Sequence, residues 1–362
     1  MSGVLITGAA GYVGSLLHRR LKENSGGTDT VNAQGQFPKP LVGTDIHFAG
    51  ESKPDQIICD ITDAAAVDQL FASQRPDLVF HLASMVNPTN AKQRKLAYAV
   101  DVEGTMNILQ ACIRYGVRRL VVTSSGAAYG YHADNPVPMS EEQPLKPYTA
   151  FPYSHHKQLV EKMLADHVST GLGPEIVILR SGTIVGQTTR NQITALFEKP
   201  RLLAIRGSDS PFVFIWDEDV VGALMHAGHL QDLPPHTSEE SRENTAANSA
   251  ARSARISRSF LAPPGIYNLA GDGWLTVRDL AGLLNKEIRW LPAGPLKLIL
   301  GLARPLRLSR YGPEQIDFLR YRPVLDNTRL KEVFGYSPAK SSLEAFLFYA
   351  KSAGLIQDSA PP

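Results

Sequence analysis

The sequence predicts an α/β protein built on a doubly wound parallel sheet, with a smaller C-terminal lobe. Three observations predict this fold. Short apolar runs alternate with longer helical stretches in the first half of the chain, as in repeated strand–helix units. The apolar runs are continuous, which is typical of strands buried on both faces. The 362 residues are enough for one large domain with a lobe, or for two domains.

The predicted strands are the short apolar runs, and the predicted helices fill the gaps between them. Strands are expected at 4–7, 41–45, 57–60, 78–82, 120–124, 176–180 and 265–269. Helices are expected at 11–21, 63–73, 91–115, 153–168, 217–230, 276–285, 313–320, 326–334 and 341–352. In such sheets, ligands bind beyond the carboxyl ends of the strands, so candidate site residues are sought there.

The composition indicates a globular protein and excludes several classes of partner. Hydrophobic residues make up 43% of the chain and charged residues 20%. The net charge is only +2, without the basic surplus typical of nucleic-acid-binding proteins, so no nucleic-acid partner is expected. The ten histidines are scattered without metal-ligand spacing, so no metal is expected either.

Two cysteines, Cys59 and Cys112, are too few for a disulfide framework and do not form a Cys-x-x-Cys pair. A reducing compartment is therefore expected. The chain shows neither the charged start and apolar stretch of a signal peptide nor a run of about 18 apolar residues. The sequence predicts a cytoplasmic, soluble protein with no stable membrane insertion.

The turn after the first strand contains three regularly spaced glycines. Gly8 permits a tight turn, Gly11 lets the backbone approach a pyrophosphate, and Gly14 allows close packing of the helix on the strand. The N-terminus of the following helix attracts phosphate through its free N–H groups. The strand–turn–helix context favours a dinucleotide site over an ordinary glycine-rich turn. The predicted binding residues of this turn are Gly8, Ala10, Gly11, Tyr12, Val13 and Gly14.

Acidic residues that end the second and third strands predict the type of dinucleotide. Asp45 would accept hydrogen bonds from the ribose hydroxyls of NAD and would repel the extra phosphate of NADP. Its alternative role is to cap a turn. Asp60 and Ile61 are expected to flank the adenine, and the alternative for Asp60 is a helix cap.

Tyr153 and Lys157 are four residues apart and therefore share one face of a predicted helix. A phenol ordinarily has a pKa of about 10 and is a poor base at neutral pH. A nearby ammonium group favours its phenolate form. Such a pair can remove a hydroxyl proton while hydride leaves the same carbon.

Ser124 and Ser125 lie at the carboxyl end of the fifth predicted strand, where a hydroxyl could orient a substrate oxygen towards Tyr153. A nucleophilic role is disfavoured, because the surrounding residues do not form a Gly-x-Ser-x-Gly elbow. Two serines in an ordinary turn are the remaining alternative.

Taken together, these motifs resemble the extended short-chain dehydrogenase/reductase family, in the branch of NAD-dependent sugar epimerases and dehydratases. The resemblance covers most of the chain. It rests on Thr7-Gly8-x-x-Gly11-x-x-Gly14, His81-Leu82-Ala83, Ser124-Ser125-x-x-x-Tyr129-Gly130 and Tyr153-x-x-x-Lys157, which occur in the family order.

The resemblance implies a Rossmann domain over 1–185, to which segments 214–230 and 265–272 return, and a substrate-binding lobe over 186–362. It implies that Tyr153 is the general acid/base, that Lys157 holds the nicotinamide ribose, and that Ser125 positions the substrate hydroxyl, with Ser124 as the alternative. Leu82, Ala83 and Ser84 would line the NAD cofactor. A homodimer through helices 91–115 and 153–168 is also implied.

The chain departs from the family pattern at positions that bear on the substrate. Dehydratases carry Thr-Asp-Glu where this chain has Ser125-Gly126-Ala127, so a dehydratase is disfavoured. The arginine that commonly grips a nucleotide diphosphate falls at Ser210, and Arg322 could serve as a substitute clamp. Asp101 stands where the family often has Asn.

Three functions therefore remain open. The first is an NAD-dependent epimerase that acts on a sugar or sugar nucleotide through a transient keto intermediate. The second is a net NAD(P)-dependent dehydrogenase or reductase of a sterol-like or other carbonyl substrate. The third is a non-catalytic module that senses the dinucleotide, which is disfavoured because Tyr153 and Lys157 are both present.

Three further segments have unusual composition. Residues 24–40 are rich in Gly, Asn, Gln and Pro and predict a surface insertion, and residues 232–260 predict a disordered insertion. Residues 295–302 are the most apolar stretch, flanked by Arg304 and Arg307. They predict a helix that packs on the small lobe or covers the substrate pocket, and the alternative is a helix on a membrane surface.

Overall fold

The structure, a computed structural model, describes residues 3–24, 41–50, 53–86, 88, 90–232, 258–304, 306, 308–309 and 312–357. The predicted insertions at 24–40 and 232–260 therefore lie largely outside the described residues. Their ends are described, because Asn24 ends a helix and short strands bracket the second insertion.

A seven-stranded sheet forms the centre of the molecule, and every neighbouring pair in it is parallel. Its strands are β1 (Gly3–Thr7), β2 (Leu41–Asp45), β3 (Gln56–Ile58), β4 (Pro76–His81), β5 (Arg119–Ser125), β6 (Glu175–Ser181) and β12 (Gly265–Leu269). The spatial order is β12-β6-β5-β4-β1-β2-β3. The order reverses at β1, between β4 and β2, which is where a doubly wound sheet opens its ligand crevice. This architecture confirms the predicted fold class.

Helices cover both faces of the sheet because successive strand residues point to opposite sides. Helices α1 (Tyr12–Asn24) and α7 (Asp217–Gly228) pack on the face that contains Val4 and Ile6. Leu5 points to the opposite face. That face is covered by α2 (Ala64–Gln74), α4 (Thr105–Arg114) and α5 (Pro152–Val168).

The helix predicted over 91–115 is not continuous. It consists of α3 (Ala91–Tyr98), a π-helical turn over Ala99–Gly104, and α4. Asp101 is buried inside the π-helical turn, and the Thr105 hydroxyl donates to the Asp101 carbonyl oxygen at 2.6 Å. A side chain that bonds back to this carbonyl competes with the regular helix, which accounts for the interruption.

The smaller lobe is built from short elements that were only partly predicted. Two strand pairs belong to it: β7 (Thr183–Val185) with β9 (Phe214–Trp216), and β8 (Leu202–Ile205) with β13 (Ile288–Leu291). A third pair, β10 (Leu230–Asp232) with β11 (Arg258–Phe260), lies against the central sheet, where Phe260 packs in the core. The helices are α6 (Thr194–Phe197), α8 (Val277–Leu283), α9 (Ala293–Ala303), α10 (Glu314–Arg320), α11 (Thr328–Glu332) and α12 (Ser342–Ser352). The expected disorder of residues 232–260 is wrong at both ends of this segment, because the backbone of Asp232 and of residues 258–260 pairs in β10 and β11.

Candidate active site

The glycine-rich turn joins β1 to α1 in the geometry that its sequence predicts. Gly8 has a φ of 71°, a left-handed backbone conformation that residues other than glycine rarely adopt. A Cβ on Gly14 would overlap the Gly8 carbonyl oxygen, so glycine is required for the helix to pack on the turn. A Cβ on Gly11 would meet only that same oxygen, at 3.1 Å. The turn therefore leaves backbone around the start of α1 accessible, as a phosphate group would need.

Asp45 lies against this turn at the end of β2. Its carboxylate accepts hydrogen bonds from the backbone N–H of Ala10 at 3.0 Å and of Ile46 at 2.8 Å. The end of β4 is equally close, because a Cβ on Gly8 would lie 2.6 Å from the Ala83 nitrogen. The predicted cofactor residues on β1, β2 and β4 thus converge at the switch point of the sheet.

Asp60 and Ile61 make structural contacts that the sequence did not foresee, and the helix cap offered as an alternative for Asp60 is made by Asp63 instead. Asp60 is exposed and accepts hydrogen bonds from the Thr62 backbone N–H at 2.9 Å and from its hydroxyl at 2.8 Å, which closes a local turn. The Ile61 side chain is buried, and a Cβ on Gly104 would lie 2.8 Å from it. The contact of Asp60 and Ile61 with adenine stays a prediction.

A cavity of about 560 Å³ opens between the central sheet and the smaller lobe. Its lining includes Ser125 and Tyr153, together with Arg322 from the lobe. Tyr12 and Val13, which follow the glycine-rich turn's first two glycines, also line it. Residues far apart in sequence are therefore brought to one site. Its volume is within the range of small-molecule sites.

Residues 295–302 belong to helix α9 and do not line this cavity. The expectation that this segment covers the substrate pocket is therefore wrong. Lys297 instead binds Asp317 of α10 at 2.8 Å, which attaches the helix to the lobe. None of the helices in the described ranges is long and apolar enough to cross a bilayer.

Tyr153 and Lys157 lie on the first turns of α5, beside the end of β5. The Lys157 Nζ is 5.6 Å from the centre of the Tyr153 ring and donates a hydrogen bond to the Thr123 carbonyl oxygen at 3.0 Å. The Ser154 hydroxyl donates to the Ala127 carbonyl oxygen at 2.6 Å, which fixes the start of the helix against the turn after β5. Lys157 is buried, so its charge acts on the phenol through a poorly screening medium.

The two serines at the end of β5 point in different directions. Ser125 lines the cavity, and its Oγ accepts a hydrogen bond from the Ala127 backbone N–H at 3.2 Å. Ser124 is buried and donates to Glu161, which also binds Arg180 in an ion pair. The expectation that Ser124 touches substrate is not supported, because successive residues of a strand face opposite sides of the sheet, and Ser124 faces Glu161 of α5 rather than the cavity.

A hydrogen-bonded group that the sequence did not reveal links the glycine-rich turn to the lobe. The Tyr12 hydroxyl donates to the Asp217 carboxylate at 2.6 Å and accepts from the Thr189 hydroxyl at 2.8 Å. Burial and the hydrogen bond to Asp217 raise the pKa of Tyr12 to about 12, so this phenol stays protonated. Gly186 is necessary here, since a Cβ at this position would overlap the Asp217 carboxylate.

Arg322 brings a buried cation to the cavity. Its Nη1 donates to the Ser210 hydroxyl at 2.6 Å, and its guanidinium lies 4.0 Å from the Phe212 ring centre and 4.8 Å from that of Phe318. Burial lowers the pKa of Arg322 to about 10. Within the described part of the chain, its Nε and Nη2 have no hydrogen-bond partner. Ser210, which replaces the expected arginine, has φ of 37° and orients Arg322 instead.

Aromatic rings form one wall of the same cavity. The Phe151 and Phe318 rings stack with centroids 5.5 Å apart and an interplanar angle of 3°. Tyr131 packs edge-on against them, at 5.5 Å from Phe151 and 5.1 Å from Phe318. The sequence did not indicate this wall, because its three rings come from a loop, the residue before α5, and α10.

A buried chain of hydrogen bonds runs beneath the site through His81. The Thr7 hydroxyl lies 2.7 Å from His81 Nδ1, and the Thr105 hydroxyl oxygen lies 2.9 Å from His81 Nε2. Because the Thr105 hydroxyl proton is donated to the Asp101 carbonyl, its oxygen must accept from His81 Nε2–H. His81 Nδ1 then accepts from Thr7, so the neutral imidazole fits both contacts.

Asp101 connects this chain to the helix that carries Tyr153. Its Oδ1 accepts from the Ser84 hydroxyl and the Met85 backbone N–H, both at 2.9 Å, and its Oδ2 is 2.9 Å from His156 Nδ1. Burial opposes ionisation, but the hydrogen bond from His156 and the charge of Lys157 outweigh it and keep the pKa of Asp101 below its usual value. The carboxylate thus joins the loop after β4 to α5.

His81 makes the stability of the fold dependent on pH. Burial, and next the charge of Lys157, lower its pKa to about 3, whereas an unfolded histidine titrates near 6.5. The unfolded chain therefore binds the extra proton between these values, and the stability contribution that is full above pH 6.5 is lost as pH falls. We expect this effect of His81 alone to lower the free energy of unfolding by about 2 kcal/mol when the pH falls from 7 to 5.

Urea unfolding of the protein and of His81→Gln across this pH range measures that contribution. The amide can keep one donor and one acceptor but does not titrate, so the variant should show a shallower pH dependence. Parallel curves for the two proteins would contradict the assignment.

Comparisons with known proteins place the chain among related sequences and folds. A family model described as the NAD dependent epimerase/dehydratase family matches residues 4–217. The UDP-glucose 4-epimerase 2 of Oryza sativa subsp. japonica is 32% identical over 191 residues, which cover 51% of this chain and 45% of the rice protein. The chain spans about half the length of this relative and of an uncharacterised Sinorhizobium fredii protein, y4nL, and 76% of a second one, y4nG, at 24% identity.

Solved structures of similar fold align with nearly all of this chain. A UDP-glucose 4-epimerase of Thermotoga maritima, solved with UDP-glucose, has a TM-score of 0.65 at 19% identity and covers 97% of this chain and 98% of its own. A Thermus thermophilus UDP-glucose 4-epimerase in complex with NAD has a TM-score of 0.65 at 20% identity, with coverage of 98% and 100%. At these identities the likeness concerns the fold.

Proposed function

This chain belongs to the NAD-dependent epimerase/dehydratase family, and from that premise we propose that it is an NAD-dependent epimerase-type oxidoreductase. Its substrate would be a sugar or sugar nucleotide, oxidised at a hydroxyl carbon to a transient keto intermediate. The observation that carries the proposal is the convergence of Ser125 and Tyr153 on one cavity with the glycine-rich turn, with buried Lys157 beside the Tyr153 ring.

The residues at the switch point fit an NAD molecule. The glycine-rich turn would hold the pyrophosphate through backbone N–H groups, and Asp45 would accept hydrogen bonds from the adenosine ribose. The loop after β4, with Leu82, Ala83 and Ser84, would line the remainder of the cofactor, and Lys157 would hold the nicotinamide ribose. NAD, when bound, supplies the acceptor and donor of hydride.

The side chains of the site divide the proton chemistry among them. Ser125 would orient the substrate hydroxyl, and the Tyr153 phenolate would remove its proton as the carbon is oxidised. The Lys157 ammonium, beside the Tyr153 ring, would favour the phenolate. When the keto intermediate has turned in the cavity and is reduced on its other face, Tyr153 returns the proton. No net oxidation results.

Arg322 supports an anionic substrate. Arg322 lines the cavity, and two buried nitrogens of its guanidinium have no hydrogen-bond partner within the described residues. Such a buried cation is costly without an anion to accept its hydrogen bonds. Arg190, which is exposed and also lines the cavity, would add a second positive charge. A diphosphate held by these two residues is the arrangement that we propose for a nucleotide-linked sugar.

A second candidate function is net oxidation or reduction of an apolar alcohol or carbonyl compound. The aromatic wall of Tyr131, Phe151 and Phe318 favours it, since a flat apolar ring would cover these rings well. The same Ser125, Tyr153 and Lys157 would act, but reduced NAD would leave with the product.

The behaviour of the cofactor separates the two candidates. Purified protein would be incubated with UDP-glucose or UDP-galactose while product formation and the absorbance of reduced nicotinamide are followed together. We expect interconversion of the sugars with no accumulation of reduced cofactor, and NAD that copurifies with the protein. Reduced nicotinamide that accumulates in step with alcohol consumption would establish the second candidate, and failure to bind NAD would refute both.

We further propose a homodimer formed through α3, α4 and α5. Helices α3 and α4 expose Leu96, Tyr98, Met106 and Ile113 by 38–46%, which is a large apolar surface for two helices.

A cytoplasmic location is also proposed, and the free, buried state of Cys59 and Cys112 supports a reducing compartment.

A further inference from the structure

The Tyr12 hydroxyl bridges the two parts of the molecule that enclose the cavity. It donates to Asp217 at 2.6 Å and accepts from Thr189 at 2.8 Å. Asp217 begins α7, which packs on the central sheet, whereas Thr189 lies between β7 and α6 of the smaller lobe. Tyr12 and Thr189 both line the cavity. These three residues are called the Tyr12 clasp below.

The Asp217 side of the clasp is held in place by contacts of its own. Asp217 is only 6% exposed, and its Oδ1 accepts a hydrogen bond from the Glu218 backbone N–H at 2.9 Å. The lobe passes directly over the carboxylate at Gly186, where a Cβ would overlap it. The acceptor of the Tyr12 proton therefore has a defined position at the border between sheet and lobe.

The Thr189 side is anchored in the core of the lobe. Asn191 Oδ1 accepts hydrogen bonds from the backbone N–H of Ile193 at 2.8 Å and of Thr194 at 2.9 Å, where α6 begins. Phe197 of the same helix is buried in the lobe core. Through Thr189, which is 7% exposed, the clasp joins the residue after the second glycine of the turn to an ordered part of the lobe.

The Tyr12 hydroxyl is committed to these contacts and is not free to exchange a proton with substrate. Its proton is donated to Asp217, and Thr189 occupies a lone pair of its oxygen. The 2.6 Å separation from Asp217 is typical of a hydroxyl bonded to a charged oxygen, which is stronger than a neutral hydrogen bond. Tyr12 is therefore a candidate for a positioning residue rather than a catalytic one.

The position of the clasp bears on how a dinucleotide leaves the crevice. NAD bound as proposed above would extend from the glycine-rich turn to Tyr153 and would lie between the sheet and the lobe. Release requires these two sides to separate, and their separation breaks the hydrogen bond between Tyr12 and Thr189. The bond thus adds to the barrier for release without touching the reacting atoms.

We propose that the Tyr12 clasp retains the dinucleotide between the two hydride transfers by holding the lobe against the glycine-rich turn. This inference rests on the proposed function. The substrate carbon first gives its hydride to NAD and its hydroxyl proton to Tyr153. Loss of reduced NAD at that stage would leave a free keto compound, which is a net oxidation. Retention is therefore what keeps the reaction an epimerisation.

The rate at which reduced NAD leaves the protein tests the proposal without any substrate. Its fluorescence would be followed by stopped flow after mixing the loaded protein with an excess of NAD. We expect Tyr12→Phe and Thr189→Val to release reduced NAD at least tenfold faster, because each removes the bond across the crevice. Thr189→Ser keeps the donor hydroxyl and should release it within about threefold of the unaltered protein.

Tyr336→Phe is the matched control. The Tyr336 hydroxyl donates to Asp219 at 3.1 Å, in the same first turn of α7, but Tyr336 does not line the cavity. This variant should release reduced NAD as the unaltered protein does, and thermal unfolding would compare its stability with that of Tyr12→Phe. Equal acceleration in Tyr336→Phe would show a general loosening of α7 and would overturn the role of the clasp.

A second measurement uses turnover. With UDP-galactose, Tyr12→Phe should accumulate reduced nicotinamide, whereas the unaltered protein should not. If the unaltered protein binds NAD but Tyr12→Phe releases reduced NAD within about threefold of its rate, the clasp is refuted while the proposed function stands. An unaltered protein that does not bind NAD refutes the proposed function, and the clasp with it.

Discussion

Replacement of Tyr153 by Phe is expected to lower kcat by about 10²–10⁴-fold while the affinity for NAD stays the same. The hydroxyl is the only group removed, so the loss measures proton transfer at the cavity rather than packing. Lys157→Met should cause a comparable loss of turnover and should also lower the affinity for NAD. The Lys157 ammonium would hold the nicotinamide ribose as well as favour the phenolate.

Tyr148→Phe is the matched control for this prediction. Tyr148 packs edge-on against Tyr131 at 5.4 Å, but it does not line the cavity, and its buried hydroxyl has no hydrogen-bond partner among the described residues. Its removal should leave turnover within about threefold of the unaltered enzyme and should not lower stability. Steady-state kinetics and a titration with NAD measure both properties. Full activity in Tyr153→Phe would contradict the catalytic assignment, and retained NAD binding with no turnover in any form of the protein would favour a dinucleotide sensor.

The sheet could be predicted from the sequence because its strands are buried on both faces. Continuous apolar runs predicted β1, β2, β4, β5, β6 and β12 to within two residues at each end. The short strands of the lobe gave no such signal: β8 pairs with β13 across more than 80 residues of chain, so neither has a local pattern that specifies it. The interruption of the helix over 91–115 depends on the Thr105 side chain and on partners of Asp101 that are distant in sequence.

The site could be predicted where one segment carries a whole chemical motif. The glycine-rich turn, Ser125 and Tyr153 have local patterns, and the structure places them around one crevice. Contacts that need two distant segments left no such pattern. Ser210 orients Arg322 across 112 residues of chain, and Tyr12 reaches Asp217 across 205. Ser210 in place of the arginine expected from the family motif was the visible sign in the sequence that the proposed anion site would be built differently, around Arg322.

Replacement of Arg322 by Met is expected to weaken the binding of UDP by about 10²-fold or more. Two hydrogen bonds from a charged donor to an anion contribute about 1.5–3 kcal/mol each, and both would be lost. The stability of the ligand-free protein should change much less. Relief of a buried cation with unpartnered Nε and Nη2 opposes the loss of its contacts with the Phe212 and Phe318 rings, so the two effects partly cancel.

Arg190→Met provides the comparison for this variant. Arg190 also lines the cavity but is exposed, so solvent screens its charge. Its removal should therefore lower the affinity for UDP only a few-fold, with a strong dependence on salt. Arg322→Lys should recover part of the affinity, because lysine keeps the charge but not the planar arrangement of donors. Calorimetric titration with UDP measures all three variants, and urea unfolding reports their stability.

The result decides the chemistry of the substrate independently of the catalytic residues. If Arg322→Met no longer binds UDP while its rate of reaction with a neutral alcohol and NAD is unchanged, the guanidinium recognises the anion and takes no part in proton transfer. If the unaltered protein does not bind UDP, the buried cation has another partner, and the aromatic wall of Tyr131, Phe151 and Phe318 becomes the stronger guide to the substrate. A ring compound with a single carboxylate would then satisfy both features, since it offers one anion to Arg322 and one flat face to the rings.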